Sequence, residues 1–217
     1  HVIKNVVERN PFDAEAFEDA IMGNTNGAGE DCRNVARFAL LRAGMPTNVA
    51  GLTVNRLCGS GLAATLDAAR GVKVGEGDLF LAGGVESMSR APLIISKSHS
   101  AFDRGQQIAD STLGARFTNP AFASAFGNDS MPETADNIAS DLGISREQAD
   151  AFAAASQAKY EAARADGFFT DEIIPVEVPM GRKKPPVTVD ADEHPRPQST
   201  VEALSGLRTL FDDGVVT

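Results

Sequence analysis

Tryptophan is absent from this 217-residue sequence, and there are only one tyrosine, three histidines and two cysteines. Cys32 and Cys58 are too few for a disulfide framework or a cysteine-based zinc site, so both read as free thiols of a reducing cytoplasm. No apolar run approaches the roughly 20 residues that cross a bilayer. The opening His1-Val2-Ile3-Lys4-Asn5 has the features of neither a signal nor a transit peptide. Positive charge is also scarce: 20 Lys and Arg stand against 30 Asp and Glu, a formal net charge of −10. That balance argues against a nucleic-acid partner, which needs a broad basic surface, and against an anionic membrane. A small polyanion remains possible, because a local cluster of Lys and Arg can hold one. Internal repeats and low-complexity tracts are lacking as well.

What is present fits a soluble globular protein, with 42% apolar residues, 23% charged residues and 20 glycines. The length allows one large domain or two small ones. Val2, Ile3, Val6 and Val7 recur at helical spacing up to Asn10-Pro11. Residues 20–23 read as a short strand, followed by the loop Asn24-Thr25-Asn26-Gly27-Ala28-Gly29. A helix is expected over 33–43, stopped by a left-handed Gly44. Residues 52–57 read as a strand, Gly59-Ser60-Gly61 as a tight turn, and Leu62, Leu66 and Ala69 as one face of the next helix. Residues 78–82 form a near-continuous apolar strand ending at Gly83-Gly84. Strand, helix and strand at this spacing make a βαβ unit, so the fold class is α/β with a parallel sheet covered on both faces.

The character changes around Ala91-Pro92. Residues 93–128 show little periodicity and read as a long excursion. Ser130 with Glu133, and Ser145 with Gln148, have the spacing of two helix-opening capping boxes. The expected buried stripes are Ala135, Ile138 and Leu142, then Ala149, Phe152, Ala153, Ser156 and Tyr160, with a stop at Gly167. A strand over 173–178, a basic Pro-rich turn over 181–186 and a short helix over 200–204 complete the reading.

The most informative stretch is Val54-Asn55-Arg56-Leu57-Cys58-Gly59-Ser60-Gly61-Leu62, where a strand runs into a cysteine and a helix begins beyond it. The free N–H groups and positive dipole end of a helix favour a thiolate. Gly59 and Gly61 place no side chain in the way of an approaching thioester. The arrangement is similar to the nucleophile elbow of other acyl-transfer enzymes. On this short pattern alone, a nucleophile and a buried structural thiol both stand. Cys32 lacks the flanking glycines and the preceding strand, and reads as structural.

Asn55-Arg56-Leu57-Cys58-Gly59-Ser60-Gly61 resembles the nucleophile motif of thiolases. Gly83-Gly84-Val85-Glu86-Ser87-Met88-Ser89 resembles the same family's second signature. Gly29-Glu30-Asp31, Arg33-Asn34-Val35-Ala36-Arg37, Met131-Pro132-Glu133-Thr134-Ala135, Asp192-Glu193-His194-Pro195-Arg196-Pro197 and Gly214-Val215-Val216-Thr217 match at the expected separations. The resemblance covers essentially the whole chain. It implies a layered thiolase fold, with 1–92 as most of the N-terminal core half and 93–217 as most of a CoA-binding loop domain. It further implies that Cys58 takes the acyl group and that its own N–H helps form an oxyanion hole.

For the remaining residues, the resemblance places Arg196 near the CoA nucleotide and Met131 near the pantetheine arm. Ala203 stands where some relatives have a serine near CoA. Arg182, Lys183 and Lys184 fit a solvated turn better than a CoA contact. His194, pinned in an extended segment by the following Pro195 and Pro197, and likewise His1 and His99, are not expected to act as the base. Glu86 is expected to accept structural hydrogen bonds, and Asn26 and Arg56 to brace the loops. Coenzyme A is implied as co-substrate, with no permanently bound cofactor and no metal. A homodimer or homotetramer is implied as the assembly.

The family's Gly-His-Pro histidine, its Asn-Glu-Ala-Phe-like asparagine and its second cysteine have no match here. The sequence is therefore expected to be part of a longer protein, and to turn over no substrate by itself. Ser130-Met131-Pro132-Glu133-Thr134-Ala135-Asp136-Asn137 is similar to the form in thiolases that cleave 3-oxoadipyl-CoA to succinyl-CoA and acetyl-CoA. Arg90, Arg104 and Arg116 are the candidate partners for the far carboxylate. The alternatives are an acetoacetyl-CoA or fatty-acid 3-ketoacyl-CoA thiolase, a 3-oxoacyl synthase, or a non-catalytic module that binds CoA or lipid.

Overall fold

Three short strands run side by side in the same direction: β1 (Asp19–Gly23), β2 (Ala50–Val54) and β3 (Phe80–Gly84), in the order β2-β1-β3. Asp19 is in register with Ala50 on one side and Phe80 on the other. This computed structural model describes residues 1–112 and 115–217, which divide into two units, 1–119 and 120–217. The change of sequence character at 92/93 falls inside the first unit.

In that unit, α1 (Val2–Arg9), α2 (Val35–Ala43) and α3 (Ser60–Val74) flank the sheet. Successive residues of a strand point to opposite faces. Ala20 accordingly packs with Phe17, Leu40, Met45, Val49 and Leu81 on one face, joined by Ile3 and Val7 of α1. Ile21 packs with Ala64 and Ala68 of α3 on the other. Leu40 and Val49 are fully buried, each stabilising the fold by about 1.5–3 kcal/mol relative to exposure. The expected α/β architecture with both sheet faces covered is the one observed.

Local signals set most helix ends. Asn34 caps α2 by accepting from the Arg37 N–H at 3.2 Å, and its amide donates to the Gly51 carbonyl of β2 at 2.6 Å. Gly44 ends α2 at φ 84°, as expected, but Arg33 lies outside the helix with φ 67°. The strand expected over 52–57 is displaced to Ala50–Val54, because Leu57 turns the chain at φ 49°. The helix expected after Gly61 already begins at Ser60.

Its inner face also differs: Leu62 and Leu66 are exposed, while Ser60, Ala64, Ala68 and Gly71 are buried. The helix lies too close to the sheet for larger side chains. A Cβ at Gly71 would sit 2.8 Å from the Phe80 ring, and one at Gly23 would sit 2.7 Å from Ser60. The excursion over 93–128 contains an antiparallel hairpin, β4 (Leu93–Ile95) with β5 (Ile108–Asp110), and a short α4 (Pro120–Phe126).

The second unit carries α5 (Met131–Leu142), α6 (Arg146–Ala165), the hairpin β6 (Val176–Val178) with β7 (Val187–Val189), and α7 (Val201–Ser205). Both expected capping boxes are formed. The expected buried stripes are not: Ile138, Leu142 and Phe152 are exposed, and Ala139 and Asp150 are buried instead. Polar ties turn the helices that way. Asp136 Oδ1 accepts from the Val215 and Val216 N–H groups at 2.7 and 3.0 Å. Arg146 pairs with Asp150 at 2.8 Å and donates to the Leu204 and Leu207 carbonyls at 2.5 and 3.2 Å. The strand expected over 173–178 is shorter, because the Ile173 N–H is committed to a turn with Phe169. Among the described residues, no helix is long and apolar enough to cross a membrane.

Candidate active site

In a parallel sheet the carboxyl ends of all strands, and the loops leaving them, open on one side. Here that side gathers Gly23-Asn24-Thr25 at the end of β1, Leu57-Cys58 beyond β2, and Gly84-Val85-Glu86 at the end of β3. Together with the start of α3, they surround a concavity of about 440 Å³. Cys58 is exposed and lines it.

The turn that presents Cys58 is held from below. Buried Ser60 accepts the Arg56 N–H at 2.8 Å, and its hydroxyl donates to the Leu57 carbonyl at 2.6 Å. Asn55 Oδ1 accepts from the Leu57 N–H at 3.0 Å, and its amide reaches the Thr25 carbonyl at 3.1 Å. These bonds sustain the positive φ of Leu57, which an ordinary side chain adopts only when its surroundings impose it. Cys58 thus stands one residue before the helix-capping Gly59. Beside this turn the geometry demands glycine at Gly23, since a side chain there would strike the backbone of Ser60 and Gly61. At Gly61 a Cβ would meet nothing within 4 Å, leaving that approach open.

Glu86 takes the structural part expected of it. Its carboxylate accepts from the Thr25 and Asn26 N–H groups, both at 2.9 Å, and from the Thr25 hydroxyl. Partial desolvation pushes the carboxyl up, but these three donors outweigh it and hold Glu86 below the usual glutamate value. It is ionised at neutral pH and occupied as an acceptor, a poor arrangement for proton transfer. Beneath it, buried Asn24 donates to the Val85 carbonyl at 2.9 Å and to Asp31 at 3.2 Å, tying the loops after β1 and β3 together. Among the described residues, no group of three or more His, Cys, Asp or Glu could hold a metal ion.

The other residues singled out in the sequence lie elsewhere. Cys32 is half-buried and does not line the Cys58 concavity. Met131 opens α5 and is 71% exposed. Arg196 is exposed, its N–H anchored to Gln157 Oε1 of α6 at 2.8 Å. His194 is exposed nearby, and Ala203 lies in α7. Arg182, Lys183 and Lys184 sit in the exposed connection between β6 and β7. All of these except Cys32 belong to the second unit. Sequence reasoning missed Asn24 and Thr25 as lining residues and Ser60 as the brace. The available signal was their position just beyond the carboxyl ends of parallel strands.

Comparison with known proteins agrees with this layout. The model of the thiolase N-terminal domain matches residues 1–217. A 3-oxoadipyl-CoA/3-oxo-5,6-dehydrosuberyl-CoA thiolase of Escherichia coli (strain K12) is 52% identical over 99% of this chain and 54% of its own length. A beta-ketoadipyl-CoA thiolase of Acinetobacter baylyi is 51% identical, also over 99% of this chain and 54% of its own. The crystal structure of human mitochondrial 3-ketoacyl-CoA thiolase in complex with CoA superimposes with a TM-score of 0.83 at 34% identity, covering 100% of this chain and 52% of that one. The chain spans about half the length of the curated relatives it matches. Matched from end to end by that domain, the chain belongs to the thiolase family.

Proposed function

We propose that the complete protein is a CoA-dependent thiolase that cleaves 3-oxoadipyl-CoA into succinyl-CoA and acetyl-CoA, with Cys58 as nucleophile. The observation that carries this reading is the exposed Cys58, presented at a helix start in the concavity where three parallel strands end. The dicarboxylic substrate rests on the relatives of 51–52% identity, whose names specify it.

The Cys58 thiolate attacks the 3-oxo carbon, and its own N–H donates to the oxyanion that forms. The C2–C3 bond then breaks, the departing acetyl-CoA carbanion takes up a proton, and a succinyl thioester stays on Cys58. A CoA thiolate attacks that thioester, releasing succinyl-CoA and free Cys58, a two-step covalent course with ping-pong kinetics. Among the described residues, the other titratable side chain lining the concavity is Glu86, which is committed to the donors of Asn24, Thr25 and Asn26, so acid and base come from elsewhere in the complete protein. Arg196 is assigned to the CoA nucleotide, where a guanidinium suits phosphate or adenine. Met131 is assigned to the pantetheine arm, CoA being a co-substrate rather than a resident cofactor. The working form is a cytoplasmic homodimer or homotetramer.

The test is a thiolysis assay on the full-length protein, comparing kcat/KM for 3-oxoadipyl-CoA, acetoacetyl-CoA and long-chain 3-oxoacyl-CoA, with C58S alongside. The expected result is preference for 3-oxoadipyl-CoA, a succinyl adduct on the Cys58 peptide, and loss of turnover by several powers of ten in C58S. Preference for acetoacetyl-CoA would overturn the substrate. Failure to cleave any 3-oxoacyl-CoA would overturn the activity.

A further inference from the structure

We infer that Arg116 binds the far carboxylate of the acyl chain and sets the preference for a dicarboxylic substrate. The inference rests on the thiolase reading above and adds a specificity-determining residue to it. A carboxylate carried into a protein site is costly unless a cation or several donors receive it. A forked guanidinium is well suited, because it can donate two parallel hydrogen bonds to the two oxygens.

Three arginines of the first unit are candidates, and the structure separates them. Arg90 is already occupied: it grips the Glu30 carboxylate with two donors, the Nε contact at 2.7 Å. Arg104 lies exposed in the connection between β4 and β5, beside the turn that Asp103 organises. Arg116 is half-buried, and its Nη1 donates to a neutral partner, Asn26 Oδ1, at 2.9 Å. Among the described residues, no carboxylate lies within ion-pair distance of it. Arg116 and Asp110 both line a second concavity of about 610 Å³, but the Asp110 carboxylate is engaged by the Thr112 N–H at 2.8 Å. Arg116 is therefore a half-buried cation that, among the described residues, has no ion-pair partner.

Arg116 lines this second concavity rather than that of Cys58, and Asn26 connects the two. Asn26 follows Thr25, a wall residue of the Cys58 concavity, and the Asn26 N–H is itself fixed by Glu86. One residue step, about 3.8 Å between Cα atoms, separates the partner of Arg116 from that wall. In a 3-oxoadipyl chain, the far carboxylate carbon is three bonds from the carbon that Cys58 attacks. The Asn26 contact also holds the guanidinium in place beforehand, which reduces the ordering cost on binding.

The test uses the full-length protein and two substrates of equal chain length, 3-oxoadipyl-CoA and the uncharged 3-oxohexanoyl-CoA. R116Q is expected to lose about 30-fold or more in kcat/KM on the first, and to change little on the second. R116K, which keeps the charge without the fork, should lose less on the first and again little on the second. It is read in place of R116Q if that variant does not fold. Equal losses on both substrates, or no loss on 3-oxoadipyl-CoA, overturn the assignment of Arg116 while wild-type thiolysis leaves the thiolase reading intact. A wild-type protein that cleaves neither substrate overturns both.

Discussion

The two units of this chain are held together by different means. In residues 1–119, apolar side chains from both sheet faces make the core, and ten of the buried hydrophobic residues lie there, from Phe17 to Leu81. In residues 120–217, Ala139 is the one described hydrophobic residue in that class. The second unit relies instead on side chains that bind backbone: two capping boxes, Asp136 on the amides of Val215 and Val216, and Arg146 on the carbonyls that end α7. Burial of apolar area is non-directional, whereas a hydrogen bond holds only in one geometry. A sheet wrapped in apolar side chains suits the rigid presentation of the Cys58 turn. A unit pinned by a few directional ties leaves much apolar and polar surface uncovered.

Substitutions can break or sharpen that contrast. The largest stability effect is expected at Leu40, where truncation to Ala leaves a cavity between α2 and the sheet and costs about 4 kcal/mol in denaturant unfolding of the full-length protein. A loss under about 1 kcal/mol would mean that this layer does not form the core. Next, R146A strands the nearly buried Asp150 and frees the end of α7, at about 3 kcal/mol. The pair replacement R146M/D150L should recover most of that loss, and equal losses in single and double variants would show that packing, not the ion pair, holds the second unit.

A smaller effect concerns thiol reactivity. With limiting iodoacetamide, Cys58 should be labelled about tenfold faster than half-buried Cys32. Because exposure alone favours Cys58, the sharper reading is protection: acetyl-CoA should slow labelling of Cys58 and leave Cys32 unchanged. Peptide mass spectrometry that finds Cys32 faster, or both equally protected, would remove Cys58 from its proposed role.

The smallest effect is a pH dependence. Glu86 is held below its ordinary value of 4.5, so it binds protons less readily folded than unfolded. Its contribution to stability is complete above that unfolded value and is lost as pH falls through the lower folded one. The stability gap between wild type and E86Q should therefore narrow from about pH 6 to about pH 3. A gap that widens on acidification would contradict the hydrogen bonds drawn to Glu86.

Legibility in the sequence followed the range of each interaction. The capping boxes at Ser130 and Ser145, the Gly44 stop of α2 and the Thr200 start of α7 depend on residues within one turn, and all can be read from the chain itself. The βαβ order can be read too, because strand and helix periodicities differ. Which side of a helix is buried could not: Leu62 and Leu66 carry the apolar signal of α3, yet Ala64, Ala68 and Gly71 face the sheet. That choice depends on how closely Phe80 and Gly23 approach, a distance that residues far apart in sequence set together. The same holds for α5 and α6, where Asp136 and Arg146 turn inward to partners about 60 to 80 positions away.

By itself, then, the sequence determines the fold class, the family resemblance, several helix caps and Cys58 as the thiol to watch. Each of these rests on residue type at short spacing, where the chemistry of a cap, a stop or a motif is contained in a few neighbours. Tertiary structure alone decides that Ser60 and Asn55 hold the Cys58 turn, that Glu86 is committed as an acceptor to Thr25 and Asn26, and that Arg90 is neutralised by Glu30 while Arg116 is bonded to the neutral Asn26. Those facts depend on which polar groups meet across the mouth of the sheet. A charge or a donor takes its role from the partner that folding brings to it.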